Sequence, residues 1–222
     1  MFSLLFMFAF ILVRNIPRLG VSDSAYIQFY NNGEGNRLVV LGLYVVPFAG
    51  IAFLWYMSAT RIMLHELHSS SSEITHWLQL ASGVVFICMM FAASASVGAT
   101  ALIGAFSTAP LPSVDVSRAL SSAGYGLMFV YGVRAAGMFM IATTRLAGTT
   151  GMVPRSLLIP SYALSILLLL STTFHPSILL VFPGWVALTS IFVLLHAGRP
   201  GLRLTHPDAG ATSTGSHAPH KE

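Results

Sequence analysis

Long uncharged apolar runs alternate along this chain with short polar breaks, and the length of the runs, more than any face periodicity, sets the class. About 20 helical residues rising 1.5 Å each are needed to cross a hydrocarbon core of about 30 Å. Residues 38–60, 77–106 and 119–144 each suffice, the last interrupted only by Arg134. Residues 156–198 carry no charge and exceed one helix, so the break at Phe174, His175 and Pro176 divides them into spans at 156–174 and 177–198. Residues 1–16 form a further, short span, because the opening run MFSLLFMFAFILV reaches only about 20 Å. With no basic residue ahead of it and no small-x-small cleavage site behind it, this run reads as a first span lacking its start, not as a removable signal peptide. The expected fold is all-α: a polytopic transmembrane helical bundle of about six spans over residues 1–198.

The breaks carry their own signals. In the polar connection 14–37, Ser22 or Asp23 can cap a short helix ending at Gly33, with Tyr26, Ile27, Phe29 and Tyr30 on one face. That face suits either the headgroup plane or the protein's own surface. Pro47 is expected to kink the second span, and Trp55 and Tyr56 fall where an interfacial aromatic belt would place them. Pro110 and Pro112 stop the third span near Phe106. Within it Ala92, Ser96, Thr100 and Gly104 recur every four positions, which favours close approach of a neighbouring helix. Residues 199–222, rich in Gly, Ser, Thr, Pro and His, have nothing to bury and are expected to form a disordered polar tail.

Composition agrees. Only 8% of the 222 residues are charged against 55% hydrophobic, and the mean hydropathy is +0.77, which excludes a soluble single domain. Eleven Lys and Arg against seven Asp and Glu give a net charge of +4, an excess that bears on orientation and anionic headgroups and gives no argument for nucleic acid. Six spans place both termini on one side. That side holds Arg61, Arg145, Arg155, Arg199, Arg203 and Lys221, and the other Arg14, Arg18, Arg37 and Arg118. The positive-inside rule then leans the C-terminal tail toward the cytoplasm, although Arg14 and Arg18 directly after the first span pull the other way. A faint echo between YVVPFAG and LVFPGW does not establish an inverted-repeat transporter.

Arg134 is the sharpest chemical signal. It lies close to the middle of the fourth span, where an arginine costs at least about 2.5 kcal/mol unless paired or hydrated. The local sequence YGVRAAG places Tyr131 and Gly137 three residues to either side, on its own helical face. No Asp or Glu lies within any expected span, so its partner is a loop carboxylate, a lipid phosphate, a substrate anion, or backbone carbonyls and water. Asp23 and Asp115 reach it only if a loop dips inward. The ligand-binding candidates are therefore Arg134 and Tyr131, against the plainer role of tying helices together through carbonyls.

A second set lies in the loop RIMLHELHSSSSEITHW, where His65, His68, Glu73 and His76, joined by His196 from the end of the sixth span, offer ligand types for a divalent transition metal. HELH lacks the HExxH spacing, and a solvated juxtamembrane loop is the ordinary explanation. The only cysteine, Cys88, reads as a small buried hydrophobe. No span carries an interior histidine for haem, and no phosphate-binding glycine loop, nucleophile elbow or paired carboxylates are present. No catalytic residue and no cofactor is implied beyond that alternative metal.

The segments FYNNGEGNRLVVLGLYVVPFAGIAFLWYMSATR, RALSSAGYGLMFVYGVRAAGMF and LVFPGWVALTS together resemble a family of small bacterial, mainly actinobacterial, multi-pass membrane proteins of unknown function, over roughly residues 20–195. The resemblance includes an arginine at the place of Arg134 and the pair Asn36 and Arg37. It implies a helical bundle in the cytoplasmic membrane and supplies no activity. The partners these features imply are the lipid bilayer, a lipid or anionic small molecule, and a membrane protein partner or homo-oligomer. The expected role is binding or moving a small amphipathic or anionic molecule, or serving as an embedded subunit. The alternative is a metal-dependent membrane enzyme built on the His and Glu cluster.

Overall fold

A computed structural model describes residues 1–13, 16–17, 19–31, 34–66, 73–108, 110–149, 155–172 and 175–197. Their regular structure is helical throughout: α1 (Phe2–Val13), α2 (Asp23–Asn31), α3 (Glu34–Glu66), α4 (Glu73–Phe106), α5 (Val114–Tyr125), a π-helical segment (Gly126–Gly132), α6 (Val133–Thr149), α7 (Arg155–Leu170) and α8 (Ile178–Ala197). α5, the π segment and α6 run on as one rod, Val114–Thr149. The all-α helical bundle read from the sequence is thus the observed fold. Among the described residues four helices are long and apolar enough to cross a membrane: Asn36–Met63, Glu73–Phe106, Val114–Thr149 and Ile178–Leu195. The remaining two expected spans are apolar helices of 12 and 16 residues, Phe2–Val13 and Arg155–Leu170. The fifth span ends earlier than expected, at Leu170. The tail at 199–222 lies outside the described residues.

Residues Met1–Leu188 form one compact unit, and the chain from Thr189 belongs to a second, of which only the end of α8 is described. Within the first unit α4 is the central helix, packing against α3, α5, the π segment and α6, while α1 lies on α3 and α7 on α6. Five phenylalanines from five helices fill the centre. Phe53 of α3 is completely buried, with ring centroids 4.9 Å from Phe2, 5.5 Å from Phe86, 5.1 Å from Phe139 and 5.4 Å from Phe182. These tilted and edge-on pairs are the arrangements that the ring quadrupole favours.

Polar ties between the bundle helices are one buried and two part-buried hydrogen bonds among those described. Gln79 Nε2 donates to Thr143 Oγ1 at 3.0 Å, joining α4 to α6. Trp185 Nε1 donates to Ser161 Oγ at 2.9 Å, and Ser3 Oγ donates to the Pro183 carbonyl at 2.8 Å, joining α8 to α7 and α1. α3 continues through Pro47 as helix from Glu34 to Glu66.

Three sequence expectations change on contact with the packing. The Ala92, Ser96, Thr100 and Gly104 stripe is packed only in part: Ala92 is exposed, whereas Thr100 is buried and a Cβ on Gly104 would stand 2.7 Å from Asn36 Nδ2 of α3. A second close approach is made one position later, by Ala93 and Val97. A Cβ on Gly124 of α5 would overlap the Val97 side chain and stand 2.8 Å from the Ala93 carbonyl oxygen. Cys88 is exposed on the outward side of α4 beside Val84 and Val85, not buried. In α2 it is Tyr26 and Tyr30, one turn apart, that are buried on the bundle against Val39, Val40, Val97 and Ala101, while Ile27 is exposed. A pair at i and i+4 shares a helical face, and Ile27 falls off it.

Candidate functional site

The candidate site begins with an irregularity in the backbone. From Gly126 to Gly132 the rod winds as a π-helix, and the N–H of Val133 reaches back five residues to the Met128 carbonyl. Such a turn holds one residue more than an α turn and leaves backbone carbonyls needing other donors. Arg134, two residues past the segment, supplies one: its Nη1 donates to the Val130 carbonyl oxygen at 2.6 Å. Helical side chains lean toward the N-terminus, so the guanidinium is drawn back over the middle of the rod, away from Arg145 at its far end.

Arg134 sits at the edge of the bundle, not inside it. Val133, Ala136, Gly137, Phe139 and Met140 face the core, whereas Arg134, Ala135, Met138 and Ile141 are half-buried and Arg145 is exposed. Tyr131 is 60% exposed. The expectation that Tyr131 and Gly137 share one face fails for a physical reason. The extra residue of the π turn rotates the helix on its N-terminal side relative to the helix on its C-terminal side. Gly137 instead faces α7, where an added Cβ would stand 3.0 Å from the Ser165 carbonyl oxygen.

A guanidinium carries five N–H donors. One is used on Val130, and the ion pair between Arg118 and Asp23 lies elsewhere. Asp23 does not dip toward Arg134. Its Oδ1 accepts from Arg118 Nη2 at 2.9 Å, while the same nitrogen donates to the Val21 carbonyl at 3.0 Å and the guanidinium lies 5.1 Å over the Tyr26 ring. This arrangement fastens α2 to the start of α5. Arg134 is a partly exposed cation and Tyr131 an exposed phenol, each a group able to bond an anionic oxygen.

The proposed metal-ligand set is only partly placed. Glu73 and His76 stand one turn apart at the start of α4, Glu73 exposed and His76 half-buried. The side chains of His65 and His196, and the whole of His68, lie outside the described residues. Among the described residues no three His, Cys, Asp or Glu side chains come together.

Two features escaped the sequence reading. The π segment has one visible trace, glycines at 124, 126 and 132 around bulky residues, which also occurs in ordinary membrane helices. The other is a polar end to the bundle. There Asn36 Nδ2 donates to the Tyr30 carbonyl at 2.8 Å, Asn36 Oδ1 is buried without a hydrogen-bond partner, and the buried Tyr30 hydroxyl lies against that of Ser121. Burial, with Tyr26 and Tyr125 nearby, pushes the Tyr30 phenol up to about 12, so it stays protonated; the Ser121 hydroxyl opposes the shift only in part.

No family model, no curated protein and no solved structure matches this chain.

Proposed function

We propose that this chain is an integral protein of the bacterial cytoplasmic membrane, its C-terminal tail on the cytoplasmic side, that binds or moves a small anionic amphipathic molecule or lipid. The observation that carries the reading is the position of Arg134: a cation near the middle of a membrane-length rod, half-buried, held by one bond to its own helix. An unpaired intramembrane cation is costly, and a bound anion offsets that cost. The apolar surface around it suits an acyl or isoprenoid tail, and the exposed Tyr131 hydroxyl, within the adjoining π segment, suits the anionic head.

The binding site then consists of Arg134, which pairs with the anionic head, and Tyr131, which donates to it. A direct test is titration of the detergent-purified protein with dodecyl phosphate. Wild type is expected to bind it, Arg134→Gln to bind it at least tenfold more weakly, and dodecyl maltoside, with an uncharged head, to show no dependence on residue 134. Equal affinity of wild type and Arg134→Gln for dodecyl phosphate overturns the reading.

A further inference from the structure

On α6 the positions 134, 138, 141 and 145 follow the i, i+4, i+7, i+11 spacing that brings side chains onto one helical face. In the bundle this face points outward: Arg134, Met138 and Ile141 are half-buried and Arg145 is exposed, while Ala136, Phe139 and Met140 are buried. Two cations therefore stand on one outer face, 11 residues or roughly 16 Å apart. Neither pairs with a carboxylate among the described residues.

Depth distinguishes the two. Arg118 and Arg145 stand 27 residues apart on the rod, roughly 40 Å, which matches a bilayer with its headgroup layers. The pair marks the two headgroup levels. The Val130 carbonyl, to which Arg134 donates, lies 12 residues from Arg118 and 15 from Arg145, so the guanidinium is held near the midplane. Intramembrane arginines commonly snorkel to the nearer surface. For Arg134 that is the surface of Arg145, and both the lean of the side chain and its bond to Val130 take it the other way.

An unpaired cation at that depth draws water and lipid phosphates inward and thins the bilayer locally. The same perturbation lowers the barrier for an anionic head that must cross about 30 Å of hydrocarbon. With Arg145 at one surface and Arg134 midway, the crossing divides into two shorter steps. Beyond Arg134, the exposed Tyr131 of the π segment offers a hydroxyl toward the far surface.

We infer that the outer face of α6 is a track along which anionic phospholipids exchange passively between the two leaflets, the phosphate passing from Arg145 at the surface to Arg134 at the midplane while the acyl chains stay in lipid. This rests on the anion-binding reading of Arg134 and adds to it a substrate class, a route, and Arg145 as the entry residue.

The test uses the full chain in liposomes of phosphatidylcholine and phosphatidylglycerol with a trace of phosphatidylglycerol labelled with nitrobenzoxadiazole on its acyl chain. Dithionite added outside bleaches the outer leaflet, and further bleaching reports exchange. A trapped water-soluble dye checks that the vesicles do not leak. Wild type is expected to bleach well past the outer-leaflet half, Arg134→Gln to fall to the protein-free level, and Arg134→Lys, which keeps a cation, to retain exchange. Arg145→Gln is expected to slow exchange at least severalfold while its affinity for dodecyl phosphate in micelles stays that of wild type. The inference is overturned if sealed wild-type vesicles bleach no further than protein-free ones, or if either glutamine variant exchanges lipid as fast as wild type. Arg134-dependent binding of dodecyl phosphate without lipid exchange would overturn the track and leave the binding site standing. Binding that ignores residue 134 would remove both.

Discussion

The guanidinium of Arg134 reaches back along its own helix to the Val130 carbonyl, 2.6 Å away, and makes no bond to a neighbouring helix among the described residues. That single relationship separates a cation that holds the bundle together from one that is held ready for something else. An arginine bonded only to its own turn contributes little to tertiary structure.

Removing it is therefore expected to leave the fold intact. Arg134→Leu should elute as a single species, keep wild-type helicity, and change stability by less than about 1 kcal/mol in either direction, in the range of surface substitutions. Circular dichroism melting in detergent checks this. A large drop in stability would return Arg134 to a structural role.

The glycines of α5 and the π segment are expected to divide sharply. At Gly124 an added Cβ meets the Val97 side chain and the backbone of α4, with the Ala93 carbonyl oxygen at 2.8 Å, so the two helices must separate. Gly124→Ala should cost about 1–3 kcal/mol as overpacking. Nothing lies within 4 Å of the same position on Gly126. Gly126→Ala should be neutral or stabilising by up to about 1 kcal/mol, since it removes backbone freedom from the unfolded chain. Parallel melts of the two variants compare these outcomes directly.

The helical spans were legible because a bilayer demands length and apolarity, and both are written in one dimension. Which side of each span faces inward was not. Lipid tails are as apolar as leucine, so a membrane helix carries no polar face to mark its outside. Cys88 and Ala92 were misplaced for that reason. The Arg134 environment was half legible: the cation announced itself, but the π turn that sets Tyr131 apart from Gly137 is a backbone event with no strict residue signature. The Arg118 and Asp23 pair, 95 residues apart in sequence, is a tertiary contact that no local pattern encodes.

That pair is expected to hold α2 more through Arg118 than through Asp23. The Asp23 side chain is 70% exposed, and an exposed ion pair contributes only about 0–1 kcal/mol. Arg118 also serves the Val21 carbonyl and the Tyr26 ring. Asp23→Asn should scarcely alter hydrogen exchange across 23–31, whereas Arg118→Ala should raise exchange there at least severalfold without affecting α4. Equal effects of the two variants would mean that the ion pair alone fixes the helix.

Tyr30 gives the bundle an alkaline limit. Its phenol ionises near 10 in the unfolded chain and at about 12 when buried, so the folded state holds the proton more tightly. The resulting stabilisation is fully present below pH 10 and is lost as pH rises through about 12, reaching at most about 2–3 kcal/mol. Stability of wild type should therefore fall more steeply between pH 10 and 12 than that of Tyr30→Phe, as read by unfolding at fixed temperature across that range. Parallel curves would contradict the burial of a protonated phenol.

The most direct measurement of ligand binding at Arg134 is native mass spectrometry of the protein extracted gently from its own membrane, wild type beside Arg134→Leu. The expected spectrum shows wild type carrying a discrete anionic amphiphile, one per site, that is missing from a folded Arg134→Leu. Bare wild-type protein, or the same adduct on both proteins, would contradict an anion site at Arg134. A stable complex of bare protein with a second membrane protein would point to the role of an embedded subunit instead.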